Sequence, residues 1–107
     1  MSHHPSSQWI ASVEIYTRHY CSFCTRARAL LDTKQVSYTE HAIGGDVAAR
    51  EKMIERAKGR STYPQIFIND EPVGGFTELQ QLAHSGELDV LLQARRSVDG
   101  ETSESVP

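Results

Sequence analysis

The chain has 107 residues, of which 38% are hydrophobic, and 11 basic against 14 acidic side chains give it a net charge of −3. This length corresponds to one small domain. The mild acidity disfavours nucleic-acid binding, and no apolar run approaches the roughly 20 residues that a membrane-spanning helix needs. The start of the chain lacks the pattern of a secretory signal, so we expect a cytoplasmic protein without membrane or nucleic-acid partners.

Polar, aperiodic segments flank the part of the chain that has regular hydrophobic spacing. We expect residues 1–11 to form a flexible N-terminal extension and residues 95–107 a flexible C-terminal tail, which leaves residues 12–94 as the domain. Trp9 is expected either to pack on the sheet edge or to be disordered. A domain of this size buries about 60–65% of the surface of its unfolded chain, enough to fold without extra cross-links.

The first half of the chain predicts a strand, a helix, a strand and a second helix. β-Branched and aromatic residues favour a strand over Val13–Tyr16. Helical spacing of apolar residues follows over Ser22–Lys34, and Val36–His41 again favours a strand. Asp46 is placed to cap the second helix. The buried face of that helix is predicted to contain Val47, Ile54 and Ala57, and Met53 is predicted to lie at the edge of this face.

The second half predicts a hairpin and two helices. Gln65–Ile68 and Glu71–Gly74 are predicted to pair around a turn at Asn69-Asp70. The segment Thr77–Gln80 matches a capping box at the start of a helix, and Gly86 ends that helix. The buried stripe of that helix is predicted to contain Leu79, Leu82 and Ala83. The short helix that follows is predicted from Leu88, Leu91 and Leu92.

This order of elements predicts an α/β fold. A strand–helix–strand start implies two parallel strands joined by a right-handed crossover, and the hairpin adds antiparallel strands beside them. We therefore expect a four-stranded mixed sheet in the order of elements βαβαββα, plus a short C-terminal helix, with helices flanking the sheet.

The chain contains only two cysteines, and they occupy the tetrapeptide Cys21-Ser22-Phe23-Cys24 between the first strand and the first helix. Two thiols three positions apart at a helix start can face the same way and oxidise to a small disulfide ring, which indicates redox chemistry. The alternatives are ordinary core cysteines or half of a zinc site. Zinc needs two further ligands at recognisable spacing, and none is provided by His19, His41 and His84.

The order of elements and three local motifs resemble the glutaredoxin family, which has the thioredoxin fold; the likeness covers about residues 12–93. Val13–Arg18 followed by Cys21-Ser22-Phe23-Cys24 is similar to the family's first strand and active-site turn. Thr62–Ile68 resembles its cis-proline segment, and Gly74–Leu79 resembles its glycine-pair segment. Among family members, the small bacterial dithiol glutaredoxins are the most similar. The resemblance implies a glutathione-dependent thiol–disulfide oxidoreductase.

Three positions depart from the family pattern. Ser22 stands where the dithiol motif usually has proline, Tyr63 replaces the usual valine before the cis-proline, and Thr77 replaces an acidic residue that often follows the glycine pair. By the resemblance, the first two lie on the substrate face, so we expect them to affect specificity rather than the chemistry.

The resemblance implies a role for each site residue. Cys21 is the nucleophile, held as a thiolate at the helix start with help from Arg18 and the Cys24 thiol, and Cys24 is the resolving thiol. Arg18 holds the glycine carboxylate of glutathione, assisted by Arg60, and the Tyr63 backbone pairs with its cysteine. The implied glutathione-binding residues are Arg18, Phe23, Thr62, Tyr63, Pro64, Gly75, Phe76 and Thr77.

Residues alone leave some of these assignments open. A trans Pro64 starting an edge strand is the commoner state of an X–Pro bond, and Gly74-Gly75 suits a tight turn and helix cap as well as a carboxylate site. Arg18 and Arg60 also suit solvated surface positions. Phe23 is expected to form an exposed aromatic wall over the thiol, and Tyr16 to lie in the core.

The implied partners are glutathione and glutathionylated or disulfide-containing proteins, and we expect a monomer. A different class of function is a [2Fe–2S] cluster bridged between two protomers by Cys21 and glutathione, which the family shows where the motif lacks its proline, as at Ser22. A third possible function is that of a redoxin reduced by thioredoxin reductase. The glutathione contacts predicted for Arg18, Tyr63 and Thr77 argue against this function.

Overall fold

The computed structural model describes residues 10–93, so the predictions for Trp9, for most of the N-terminal extension and for the C-terminal tail lie outside the described residues. Within this range the strands and helices follow the predicted order. Their bounds are β1 (Val13–Thr17), α1 (Ser22–Thr33), β2 (Thr39–Ala42), α2 (Val47–Arg56), β3 (Gln65–Ile68), β4 (Glu71–Gly74), α3 (Phe76–Ser85) and α4 (Glu87–Gln93). Over the same range no helix is both long and apolar enough to cross a membrane.

The four strands form one mixed sheet in the order β2-β1-β3-β4, which confirms the predicted fold class. β1 runs parallel to β2 and antiparallel to β3, with Ile15 opposite Ile66. The β3–β4 hairpin turns at Asn69 and Asp70, whose φ angles of 54° and 69° are both positive. Positive φ at both central residues is the geometry of a type I′ turn, which suits Asn and Asp better than most side chains.

The sheet packs helices on both faces because β1 alternates its side chains. Val13 and Ile15 belong to the larger core cluster, which also contains Leu31 of α1 and Leu79 of α3. Tyr16 lies on the opposite face, in a smaller cluster completed by Met53, Ala57 and Phe67. Tyr16 is therefore a core residue, as predicted.

The predicted buried face of α2 is partly wrong. Asp46 caps the helix as expected, since its carboxylate accepts the Ala49 N–H at 3.0 Å. Val47, however, is 70% exposed, and Met53, predicted at the edge, is fully buried. The reason is geometric: the apolar contacts of α2 come from its C-terminal half, while its first turn carries the cap and remains in solvent.

Two predicted boundaries also shift. β2 begins at Thr39 rather than Val36, because the Val36 N–H bonds the Leu31 carbonyl and so belongs to the turn that ends α1. α3 begins at Phe76 with Gly75 as its N-cap, so the predicted Thr77–Gln80 capping box is wrong. Gly86, with φ of +86°, ends α3 as predicted.

A polar network joins α2 to the sheet. Arg56 donates to both carboxylate oxygens of Glu14, at 2.9 and 3.0 Å, and to the Tyr16 hydroxyl at 2.7 Å. Its guanidinium lies 4.3 Å from the Phe67 ring centroid. His41 Nε2 lies 3.0 Å from Glu14 Oε1. The bonds from Arg56, with those from His41, hold the pKa of Glu14 below its usual value despite its partial burial.

Candidate active site

Cys21 is the N-cap residue of α1, with extended backbone angles. Its sulfur accepts the Cys24 N–H at 3.2 Å, and its carbonyl accepts the Thr25 N–H at 3.1 Å. Sulfur at this position lies beside backbone N–H groups that have no partner within the helix. The residue is 9% exposed, so the sulfur lies near the surface without projecting from it.

Cys24 lies one turn further along α1 and is fully buried. Burial, with the hydrogen bond to Cys21, raises the pKa of the Cys24 thiol to about 11. Both cysteines carry free thiols. The pair therefore consists of one sulfur at the helix start and a second, protonated sulfur beneath it.

We expect iodoacetamide at pH 7 to alkylate Cys21 and to leave Cys24 unmodified in the reduced, folded protein. A thiol with a pKa of about 11 is ionised in about one molecule in 10,000 at pH 7, and the thiolate is the form that reacts. Peptide mass spectrometry after timed quenching measures both sites, and labelling in urea provides the control for accessibility. Equal labelling rates in the folded protein would contradict the assigned burial.

The Tyr63–Pro64 segment faces Cys21. Its peptide bond is cis, as the family resemblance predicted, and the Tyr63 carbonyl oxygen lies 3.9 Å from Cys21 Sγ. Gly75 packs against the same bend, because a Cβ at this position would lie 3.3 Å from the Pro64 carbonyl oxygen. The cysteine, proline and glycine motifs, which are distant in sequence, thus meet at one place.

A groove of about 580 Å³ runs alongside this bend, and we call it the tripeptide groove. All eight residues predicted to bind glutathione line it: Arg18, Phe23, Thr62, Tyr63, Pro64, Gly75, Phe76 and Thr77. Phe23 is half exposed, and its ring stacks on that of Phe76 with centroids 6.2 Å apart. The Arg18 guanidinium, which also lines the groove, lies 5.7 Å from the Tyr63 ring centroid.

The lining of the tripeptide groove carries a net positive charge. Arg18, Arg50 and Arg60 all contribute, and Glu78 is the opposing carboxylate. Glu78 accepts the Gly75 N–H at 2.9 Å and an Arg60 N–H at 3.1 Å. These bonds, that from Gly75 first, lower the pKa of Glu78, so it is ionised at neutral pH. Such a groove suits a ligand with more than one carboxylate.

Comparison with known proteins identifies the family. The glutaredoxin family model matches residues 13–73. Glutaredoxin 3 of Escherichia coli is 50% identical over 84 residues, covering 78% of this chain and all of the relative. The chain belongs to the glutaredoxin family. Its members are thiol–disulfide oxidoreductases.

Solved structures agree with this assignment. The solution structure of a glutaredoxin from Brucella melitensis is 42% identical, with a TM-score of 0.69, over 80% of this chain and 91% of the other. The crystal structure of a buckwheat glutaredoxin–glutathione complex has the same fold, with a TM-score of 0.70 at 21% identity over 77% of this chain and 76% of the other. The thioredoxin fold predicted for this glutaredoxin is thereby confirmed.

Sequence reasoning placed Gln65 in a strand and in the cis-proline segment but gave its side chain no role, yet it supports the groove. The side chain is fully buried, and Nε2 donates to the Thr62 carbonyl at 3.0 Å and to the Thr62 hydroxyl at 3.2 Å. Gln65 therefore fixes the segment that enters the cis bend of this glutaredoxin. A polar residue directly after Pro64 and directly before the apolar run Ile66–Ile68 is the signal that sequence reasoning passed over.

Gly44 supports the other side of the site. It follows β2, and a Cβ there would lie 3.0 Å from Arg18 Cβ and 3.4 Å from the His19 backbone nitrogen. Both are atoms close to the main chain, so they cannot rotate away. The absence of a side chain at Gly44 thus lets the loop after β2 pack directly on the turn that precedes Cys21.

Proposed function

We propose that this glutaredoxin reduces glutathione mixed disulfides and protein disulfides, with Cys21 as nucleophile, Cys24 as resolving thiol and glutathione as the reducing co-substrate. The observation that carries the proposal is the 3.9 Å separation of Cys21 Sγ from the Tyr63 carbonyl, beside a positively charged groove. The buckwheat glutaredoxin of the same fold was crystallised with glutathione. The cytosol would provide glutathione as reductant, and that location stays a prediction.

The groove supports one orientation of the tripeptide. Arg18, with Arg60 nearby, binds the glycine carboxylate through charge-assisted hydrogen bonds. The Tyr63 backbone pairs with the cysteine portion, which brings the glutathione sulfur towards Cys21. The γ-glutamyl carboxylate binds at the start of α3, where the N–H groups of Phe76 and Thr77 have no partner within the helix.

Reduction of a mixed disulfide needs Cys21 alone. Its thiolate attacks the glutathione sulfur, the bond from that sulfur to the target protein breaks, and the target leaves as a thiolate that takes up a proton. A second glutathione thiolate then attacks the same glutathione sulfur, so that glutathione disulfide leaves and the Cys21 thiolate is restored. Each step exchanges one S–S bond for another, so the net reaction consumes one incoming glutathione, releases the target thiol and forms one glutathione disulfide.

Reduction of a protein disulfide uses both cysteines. Cys21 first forms a mixed disulfide with the target. Cys24 then loses its proton and attacks Cys21 Sγ, which releases the reduced target and leaves the Cys21–Cys24 disulfide for two glutathione molecules to reduce. Because Cys24 follows Cys21 by one helical turn, this second attack is intramolecular and needs no further thiol from solution.

Coupled assays test the proposal. With the mixed disulfide of glutathione and 2-mercaptoethanol as substrate, we expect NADPH oxidation through glutathione and glutathione reductase, and none when thioredoxin reductase replaces them. Turnover driven by thioredoxin reductase, or no turnover with glutathione, would overturn the proposed function.

The [2Fe–2S] alternative stays a prediction. Cys21 is the one ligand that it requires from each protomer, and Ser22, the first residue of α1, leaves that turn without a proline ring. Within residues 10–93 no three His, Cys, Asp or Glu side chains lie close enough to hold a metal, so the other ligands would have to come from glutathione and a second protomer. Visible absorbance and a dimer after anaerobic reconstitution with glutathione would support it; a colourless monomer would not.

Replacing Gln65 by methionine should weaken glutathione binding without preventing turnover. The variant preserves the buried volume but releases Thr62, so we expect KM for the small mixed disulfide to rise by about 3–10-fold while kcat changes less than about twofold. Stability should change by less than about 1 kcal/mol, because exposed Thr62 can bond water instead. Gln81→Met, on the exposed face of α3, is the matched control, and an equal KM for both variants would contradict the role of Gln65.

A further inference from the structure

A second groove lies beside Cys21, between the β1–α1 turn and the end of β2. It measures about 690 Å³, and we call it the turn groove, defined by Thr17, Tyr20, Ser22, Arg28, Glu40 and Gly44. Cys21 also lines it, and Arg18 lines both this groove and the tripeptide groove. The nucleophile therefore lies where two concave surfaces meet, and the proposed function uses only one of them.

We propose that the turn groove binds the polypeptide segment next to the target cysteine of a substrate protein, and that this segment carries an acidic side chain. The inference rests on the proposed function. During the exchange, three sulfurs lie in a row at S–S separations of about 2–2.5 Å, so the target sulfur comes within about 4–5 Å of Cys21 Sγ. Glutathione occupies the tripeptide groove at that moment, and the turn groove, which Cys21 itself lines, remains open to the target.

Tyr20 provides the main contact surface of the turn groove. It directly precedes the nucleophile and is fully exposed, at 101%, whereas Val47, another exposed apolar side chain in residues 10–93, is 70% exposed. Its φ of +55° is unusual for a residue with a side chain and costs about 1–2 kcal/mol. An exposed aromatic side chain with two rotatable side-chain bonds is well suited to bury area against a partner at low entropic cost.

The charges of the turn groove favour an acidic partner. Arg28 donates to Glu40 at 3.0 Å and to the Thr25 hydroxyl at 3.3 Å. The same Glu40 oxygen accepts the Thr17 hydroxyl at 2.7 Å, so this oxygen already has two donors. A guanidinium has five N–H donors, and these two bonds leave donors on Arg28 for a further acceptor. Arg18 also lines the groove, but the proposed function engages it with the glycine carboxylate of glutathione, so Arg28 is the guanidinium left for an acidic side chain of the partner.

Amide chemical shifts of the Cys21→Ser protein, which binds without turnover, test the proposal. The probes are glutathione alone and two S-glutathionylated octapeptides, one with glutamates and one with lysines beside the modified cysteine. Glutathione should shift Tyr63 and Thr77 only. The acidic peptide should also shift Tyr20 and Thr25, and it should bind about tenfold more tightly than the basic peptide.

The arms of this titration separate the two proposals. Failure of glutathione to shift Tyr63 and Thr77 would count against the proposed function, while the peptide arms would still report on the turn groove. Peptide shifts confined to the tripeptide groove, shifts around Arg26 instead of Tyr20, or equal affinity for the acidic and basic peptides would overturn the inference.

Side-chain variants add a kinetic readout. In the protein with both cysteines, Tyr20→Ala and Arg28→Ala should each raise KM for the acidic glutathionylated peptide by about 5–10-fold. KM for the mixed disulfide of glutathione and 2-mercaptoethanol should not change. Arg26→Ala is the matched control, since Arg26 lies on the same helix but over the Phe23 ring, at 5.5 Å. Equal effects on peptide and small disulfide, or no effect on either, would refute the proposed docking surface.

Discussion

Cys21→Ser should abolish turnover of glutathione mixed disulfides, by at least about 1,000-fold, whereas Cys24→Ser should retain most of it. The reason is the placement of the two sulfurs. Cys21 Sγ lies at the helix start beside the Tyr63 carbonyl, while Cys24 is fully buried and, in the proposed mechanism, is not needed to reduce a glutathione mixed disulfide. The glutathione-reductase-coupled assay with the small mixed disulfide measures both rates.

A protein disulfide substrate provides the complementary test. There Cys24→Ser should reduce turnover strongly, because the mixed disulfide between Cys21 and the target has no internal thiol to resolve it. Intact-protein mass spectrometry should detect this trapped species in Cys24→Ser and not in Cys21→Ser, and the double variant gives the background. Activity that survives Cys21→Ser but is lost in Cys24→Ser would reverse the assignment of nucleophile and resolving thiol.

Arg56→Met should destabilise the fold by about 2–3 kcal/mol at pH 7. Methionine can still pack on Phe67, but it leaves the partly buried Glu14 carboxylate without its two bonds from Arg56 and the Tyr16 hydroxyl without its donor. Urea denaturation followed by far-UV circular dichroism measures the change. Arg28→Met is the control, because the Arg28–Glu40 pair is about one-third exposed and should contribute less than about 1 kcal/mol.

The effect of Arg56→Met should depend on pH. The folded-state pKa of Glu14 lies below its ordinary value of 4.5, so the ionised carboxylate stabilises the fold above about pH 4.5. This contribution is lost as the pH falls through the lowered folded-state pKa. The stability difference between wild type and variant should therefore be largest near neutral pH and shrink towards pH 3. A difference that is constant with pH would show that packing, not the charge on Glu14, dominates.

Local patterns in the sequence predict most of the fold. β-Branched runs mark β1 and the β3–β4 hairpin, and the Asn69-Asp70 pair marks the turn between those two strands, since these features depend on neighbouring residues. The errors arise where tertiary packing decides. The apolar pattern of α2 does not reveal that only its C-terminal half meets the sheet, so Val47 was assigned to the core and is exposed.

The candidate site is predicted less evenly. All eight residues that the motifs predict for glutathione line one groove, and their contact with glutathione stays a prediction. Arg50 and Glu78 also line that groove but were not predicted, because long charged side chains can reach it from parts of α2 and α3 that have no motif. Gly75 is the N-cap of α3, but it has no side chain that would mark it as a cap in the sequence. The Glu78 carboxylate completes the cap by accepting the Gly75 N–H.

The packing of Gly44 against Arg18 has a consequence for how freely this surface can vary. Position 44 is exposed to solvent, and exposed loop residues ordinarily tolerate almost any amino acid. Here even alanine would bring its Cβ to 3.0 Å from Arg18 Cβ, so the chain beside the nucleophile would have to shift by a few tenths of an ångström. A library with every amino acid at position 44, selected for disulfide reduction, should therefore be enriched in glycine, a preference otherwise typical of the interior.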